Sequence, residues 1–184
     1  ELDIGFAAAV QTRTNLMPVP LVNNGTTVAG IVMSNVGSGT EFGQPYVDVR
    51  WQGTATAAGT LAFRQGAAAS YNPAVHAAVT PGLTYTVSCG YRLVGVGNIL
   101  PASQFTIRMI QRASNGAGVN FGLLFNLPAP TGFLQRGAAS EAISAGAVYA
   151  HAQVAYQVAA GETVDFTIRF YANNLEEGIG NIRP

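Results

Sequence analysis

The stretch that most constrains this chain is residues 78–93, AVTPGLTYTVSCGYRL. From Leu83 onward it alternates without a break. Leu83, Tyr85, Val87, Cys89, Tyr91 and Leu93 fall on one side, and Thr84, Thr86, Ser88, Gly90 and Arg92 fall on the other. Period-two alternation of aromatic and branched residues describes a half-buried strand, and Pro81-Gly82 supplies the turn that launches it. Residues 158–170 repeat the design: both segments read V-x-x-G-x-T and then run on in alternation. The two are read as central strands of a sandwich.

Around them the chain is punctuated rather than periodic. Residues 46–52 set Val47, Val49 and Trp51 against Asp48, Arg50 and Gln52, a clear strand. Shorter strands are expected over 28–36, 60–63, 105–109, 119–126 and 148–158, with Gly, Pro, Asn and Ser clusters between them. Residues 95–103 read as a loop, 138–143 as a helical turn, and 173–184 as a polar tail. Pro18 and Pro20 exclude helix from the first twenty residues, which suit an extended arm or edge segment. No long 3.6-residue apolar period occurs. The fold expected is therefore all-β: a jelly-roll β-sandwich of two antiparallel sheets in a single domain over 14–184, preceded by an arm over 1–13.

Charge is the odd feature. Only 10% of the 184 residues are charged, against about 25% in ordinary domains. All nine basic residues are arginine and none is lysine. A GC-rich coding sequence would produce this, and so would a surface largely covered in an assembly, because β proteins usually guard free edges with lysine and other charges. With zero net charge and no basic stripe, nucleic acid is not an expected partner. No apolar run approaches the ~20 residues of a membrane-spanning helix. Cys89 stands alone on the apolar face of its strand, where a buried inert thiol is expected rather than a nucleophile or a metal ligand.

Three segments carry a resemblance. Thr14-Asn15-Leu16-Met17-Pro18-Val19-Pro20 resembles the T-N-L-x-P-x-P opening of jelly-roll modules of the carbohydrate-binding type. Residues 79–88, VTPGLTYTVS, look like their V-x-P-G-x-T-Y-T-x-S strand. Asp165-Phe166-Thr167-Ile168-Arg169, followed by Leu175-Glu176-Glu177-Gly178, is similar to the closing strand and Q-L-E-x-G tail of many tailed-phage virion proteins. Together they span residues 12–178. The departures are Asn174 in place of Gln and a Gly180-Asn181-Ile182-Arg183-Pro184 ending in place of T-S-Y-I. The resemblance implies a non-enzymatic protein of the virion surface, such as a capsid decoration, head-fibre or tail-fibre component. The shortage of charge to guard strand edges implies a homo-oligomer, and the resemblance implies that it is a trimer contacting other virion proteins and a host surface glycan. The alternative is a glycan-binding module of a tail fibre or a secreted bacterial protein.

Catalytic chemistry is sparse. Asp48 and Asp165 alternate away from apolar neighbours, yet each has an arginine nearby in sequence (Arg50, Arg169), and solvated strand carboxylates explain them better than a glycosidase pair. No catalytic residue is assigned. His76 and His151 have no zinc spacing. Modules of the resembled type often hold a structural calcium, for which Asp165, Asn173 and Glu176, with Asn174 and Glu177, offer hard oxygen ligands. Sugar binding needs aromatic rings on an open face beside polar groups. Trp51 and Tyr91 fall on the apolar sides of their strands and are expected in the core. Tyr149 and Tyr171 fall on the polar sides of theirs, beside His151 and Arg169, and these four form the expected glycan platform.

Overall fold

A computed structural model of the chain describes residues 27–64, 71, 73, 76–99, 105–171 and 174–178. The arm over 1–13, and with it the proposed domain boundary, lies outside the described residues. Every regular element among those described is a strand: β1 Thr27–Val28, β2 Ile31–Glu41, β3 Gln44–Thr54, β4 Gly59–Arg64, β5 Ala77–Ala78, β6 Thr84–Ile99, β7 Phe105–Arg112, β8 Gly118–Asn120, β9 Phe125–Leu127, β10 Gln135–Ala142, β11 Tyr149–Val158, β12 Thr163–Tyr171 and β13 Asn174–Glu177. They form two antiparallel sheets. The first, sheet A, runs β1-β2-β3-β12-β6-β10, with β13 also paired to β6. The second, sheet B, runs β4-β11-β7-β8, with β5 on β11 and β9 on β7. The chain is a jelly-roll sandwich.

The two expected central strands are β6 and β12, and they pair with one another inside sheet A. Gly82 and Gly161, the shared glycine of the repeated motif, both take positive φ (84° and 81°). That conformation lets each turn reverse at no steric cost before its strand begins. Inward-facing side chains of both sheets then interlock. Trp51 on β3 stacks on Phe166 of β12 at 5.2 Å and meets Tyr156 of β11 edge-on at 6.1 Å. Phe63 of β4 lies flat against Phe170 of β12 at 4.3 Å. Each such pair adds about 0.5–1.5 kcal/mol beyond its buried area, and the Trp51–Tyr156 and Phe63–Phe170 contacts clamp one sheet to the other. Trp51 and Tyr91 are core residues, as their strand faces require. Cys89 is buried too, and burial pushes its thiol up to about 12.

Four local expectations change. Residues 138–143 are not a helical turn: Ala138 to Ala142 lie in β10, opposite Ser88 to Thr84. The alanines there suit either state, and pairing with β6 decides it. The strand expected over 119–126 is broken into β8 and β9, because the amide of Gly122, at φ 59°, bonds the Asn120 side chain at 3.0 Å and turns the chain. The supposed loop after Gly95 continues as strand to Ile99. The polar tail contributes β13, whose buried Leu175 pairs opposite Val87.

Candidate functional site

The outward face of sheet A carries the polar half of every alternating strand, and the register brings those residues together. Across β3 and β12, Asp48 faces Arg169, Arg50 faces Thr167, and Gln52 faces Asp165. Two bidentate ion pairs result, and both cross between strands. Arg169 grips Asp48 at 2.8 and 2.9 Å, and Arg50 reaches diagonally to Asp165 at 2.9 Å on both arms. Each carboxylate thus takes the arginine of the opposite strand rather than the one two or four residues along its own. Gln52 adds a longer bond to Asp165 at 3.5 Å.

A third centre joins the end of this array. Glu41, the last residue of β2, accepts from Arg92 of β6 at 2.8 and 3.0 Å, from Arg169 at 3.1 Å, and from the Tyr171 hydroxyl in a short bond. Arg92 also donates to that hydroxyl at 3.0 Å. The Tyr171 bond, with those from Arg169 and Arg92, holds the Glu41 carboxyl at about 2. Arg50 likewise holds Asp165 below the usual carboxylate range. The Arg169 guanidinium, whose own pKa is raised chiefly by Asp48, sits 3.6 Å from the centre of the Tyr46 ring.

Two irregularities shape this face into a cleft. β2 slips register between Asn35 and Gly37, throwing Val36 outward. β6 slips against β12 between its pairings with Thr167 and Asp165, and Gly95 there has φ 79°. Bulges of this kind bend a strand and re-aim its side chains. Val36 rises on one side, Val94 and Gly95 on the other, and the buried Thr167 lies between them with Asp48, Arg50 and Arg169. The cleft encloses about 320 Å³, at the lower end of the roughly 300–1,000 Å³ of small-molecule sites.

The expected platform does not assemble. Tyr149 and His151 lie on β11 of sheet B, whereas Tyr171 and Arg169 lie on β12 of sheet A. Tyr149 is 0% exposed and Tyr171 2%. The polar side of β11 is covered: His76 stacks on Tyr149 at 4.3 Å, with Tyr71 5.7 Å away, and His151 is buried beside them. Tyr171 is roofed by its own bonding to Glu41 and Arg92. Arg169 alone of the four lines the cleft. The calcium set does not converge either. Asp165 is committed to Arg50, and it pairs at the Ile99 end of β6. Glu176 sits opposite Thr86, eight residues before Val94, or about 26 Å along a strand. Asn173 lies outside the described residues. No group of three His, Cys, Asp or Glu gathers among those described.

Glu41, Tyr46 and Arg92 had no part in the expected site. Tyr46 and Arg92 both sit on the polar side of alternating strands, which was the available signal. Glu41 could be placed only once β2 was known to run on to residue 41.

No protein-family model matches the chain, and no curated protein sequence matches it. Solved structures do. An arabinose-bound GH51 α-L-arabinofuranosidase superposes over 92% of this chain at 15% identity and TM-score 0.52, covering 26% of its own length. The enzymatically active domain of tailspike protein 4 of bacteriophage CBA120 matches over 86% at 12% identity and TM-score 0.44, with 19% of its length covered. A CBM4 structure matches over 79% at 16% identity and TM-score 0.43, with 78% of its length covered. The chain thus spans about a fifth to a quarter of the two enzymes. At such identities the likeness is one of fold alone, a jelly-roll β-sandwich.

Proposed function

We propose that this chain is a non-catalytic glycan-binding module whose ligand surface is the cleft on the outer face of sheet A. The observation that carries this reading is the array of Arg–carboxylate pairs held around a shallow, bulge-walled depression. Arginine has five donors and a carboxylate about four acceptor sites, so bidentate pairing leaves both partners able to bond hydroxyl groups. Pairing also fixes their positions before a ligand arrives, which lowers the ordering cost of binding. Val36, Val94 and Gly95 supply the apolar contact that the faces of a sugar ring need. Glu41, Asp48 and Asp165 balance Arg50, Arg92 and Arg169, so the face suits a neutral sugar rather than a uronate or a sulfate ester.

The same charges argue against hydrolysis. A glycosidase acid must hold its proton near neutral pH, whereas Glu41 and Asp165 are driven the other way by their arginines. The direct test is binding to a panel of neutral polysaccharides: xylan, soluble cellulose, galactan, mannan and delipidated O-antigen. The unmodified chain should bind at least one, and Arg50→Ala should weaken that binding with little change in melting. Absence of binding across the panel would defeat the reading.

The place of work proposed is the exterior of a tailed-phage particle, as a decoration or fibre component; this rests on the resemblance of the three segments. A more purely structural role there, in a homo-oligomer with a trimer preferred and in contact with other virion proteins, has one observation in its favour. Leu123 is 70% exposed and Phe133 84%, with Phe121, Leu124 and Leu134 also open to solvent. Apolar groups displayed in this way mark association surfaces. Light scattering after size exclusion should give a trimer mass, and a monomer at micromolar concentration would remove this role.

A further inference from the structure

The β2–β3 hairpin closes through two residues, Phe42 and Gly43, with φ of +51° and +72°. Positive φ at both central positions defines the tight turn that matches strand twist, and Asn, Asp or Gly normally occupy it. A bulky aromatic in the left-handed region is a true outlier. Among the described residues the same turn recurs at Ala29-Gly30 (φ 51° and 86°), and there packing accounts for it. The Ala29 carbonyl accepts from Thr56 at 2.7 Å, and Gly30 lies hard against the Thr54 carbonyl. At the β2–β3 tip nothing lies within 4 Å of a Cβ placed on Gly43, and Phe42 is 77% exposed. Folding gains nothing visible from Phe42. Strain that packing does not explain points to function.

The position of Phe42 says which function. Glu41, its neighbour, is held by Arg92, Arg169 and Tyr171, so the tip is anchored to the end of the cleft. Between the two, β2 presents Gly37 and Gly39 outward. The Tyr46 ring lies across Gly39, with its hydroxyl 2.8 Å from where a Cβ would stand. A low path therefore leads from the cleft, over Tyr46, to Phe42. From Gly37, paired with Asp48, to Glu41 is four residues, or roughly 13 Å.

Building on the cleft as the glycan site, we infer that Phe42 is a distal stacking residue that engages an oligosaccharide extending out of the cleft, and that it selects chain length. Its ring meets a sugar face only when the ligand is long enough to follow β2 to the hairpin tip. The aromatic is kept at a costly backbone position because binding uses it.

The test takes the polysaccharide that binds best on the panel above, cut to graded lengths, against the full chain, Phe42→Asn and Phe42→Trp. Phe42→Asn should raise the melting temperature, since Asn is at ease in this turn. It should weaken binding of long fragments roughly tenfold, a single stacking contact's worth, and leave mono- and disaccharide binding unchanged. Phe42→Trp should retain long-fragment affinity, and its indole emission should shift to the blue on binding. Equal affinity of Phe42→Asn and the full chain for long fragments would overturn the inference while the cleft reading stands. So would an equal loss at every length. Failure of the full chain to bind any fragment would instead remove the cleft reading and this inference with it.

Discussion

The outer faces of the two sheets begin from the same sequence pattern and end in different environments. On sheet A the outward Asp48, Arg50, Asp165 and Arg169 of β3 and β12 are charged, partly exposed and paired with one another. On sheet B the outward residues Tyr149, His151 and Gln153 of β11 and Ile110 and Arg112 of β7 are buried. Arg108 bonds the Gln153 side chain at 2.6 Å, and Arg112 donates to the Gly116 carbonyl at 2.7 Å. A second layer, including Tyr71 and His76, lies over Tyr149. Alternation tells which side of a strand faces away from the core. It does not tell whether that side meets water or more protein.

Substitution should expose this difference most sharply. Tyr149→Ala, on the buried outer face of sheet B, should cost about 3–5 kcal/mol, as removal of a buried aromatic does. Gln52→Ala, on the outer face of sheet A, should stay within about 0.5 kcal/mol. Urea unfolding of the two variants measures both, and similar small effects would show that the outer face of sheet B is open after all. Between these extremes, Cys89→Ser should destabilise by roughly 1–3 kcal/mol, because it places a hydroxyl on a core-facing position. Rapid labelling of Cys89 by a thiol reagent in the native chain would contradict its burial.

Acid should separate the faces as well. The Glu41 carboxyl is depressed to about 2 in the folded chain, against about 4.3 when unfolded. Asp165 is depressed too. A lowered folded pKa stabilises the fold above the unfolded value, and that stabilisation is lost as pH falls through the folded value. Melting temperature should therefore drop between about pH 5 and pH 2, and Glu41→Gln should flatten part of that drop. A profile for Glu41→Gln that parallels the unmodified chain would assign the acid response elsewhere. A small effect on stability is expected in Arg50→Ala as well: its pair with Asp165 is partly exposed, with side chains at 34% and 23%, and such pairs contribute about 0–1 kcal/mol.

Much of the fold was legible because β6 and β12 alternate so cleanly and share a glycine turn; two sheets follow once strands of that kind must bury one face. The core aromatics Trp51 and Tyr91 were legible for the same reason. The cleft was only half legible. Asp48, Arg50, Asp165 and Arg169 could each be assigned a face, but which arginine meets which carboxylate depends on the β3–β12 register, a non-local quantity. The bulges at Val36 and Gly95 leave little trace in an alternating pattern, and Phe42 hid because turn chemistry predicts Asn or Gly where this chain has an aromatic. Tyr149 was misplaced because its covering residues come from a segment distant in sequence.

The central claim is that ligand meets the outer face of sheet A and nowhere else on the sandwich. Amide chemical-shift mapping of the isotope-labelled chain, titrated with the best-binding oligosaccharide, tests it most directly. Shifts are expected at Val36, Asp48, Arg50, Val94, Gly95 and Arg169, extending to Phe42 with longer fragments, while Ile110, Tyr149 and Gln153 stay still. Shifts centred on sheet B, or on the exposed apolar residues around Leu123 and Phe133, would contradict it.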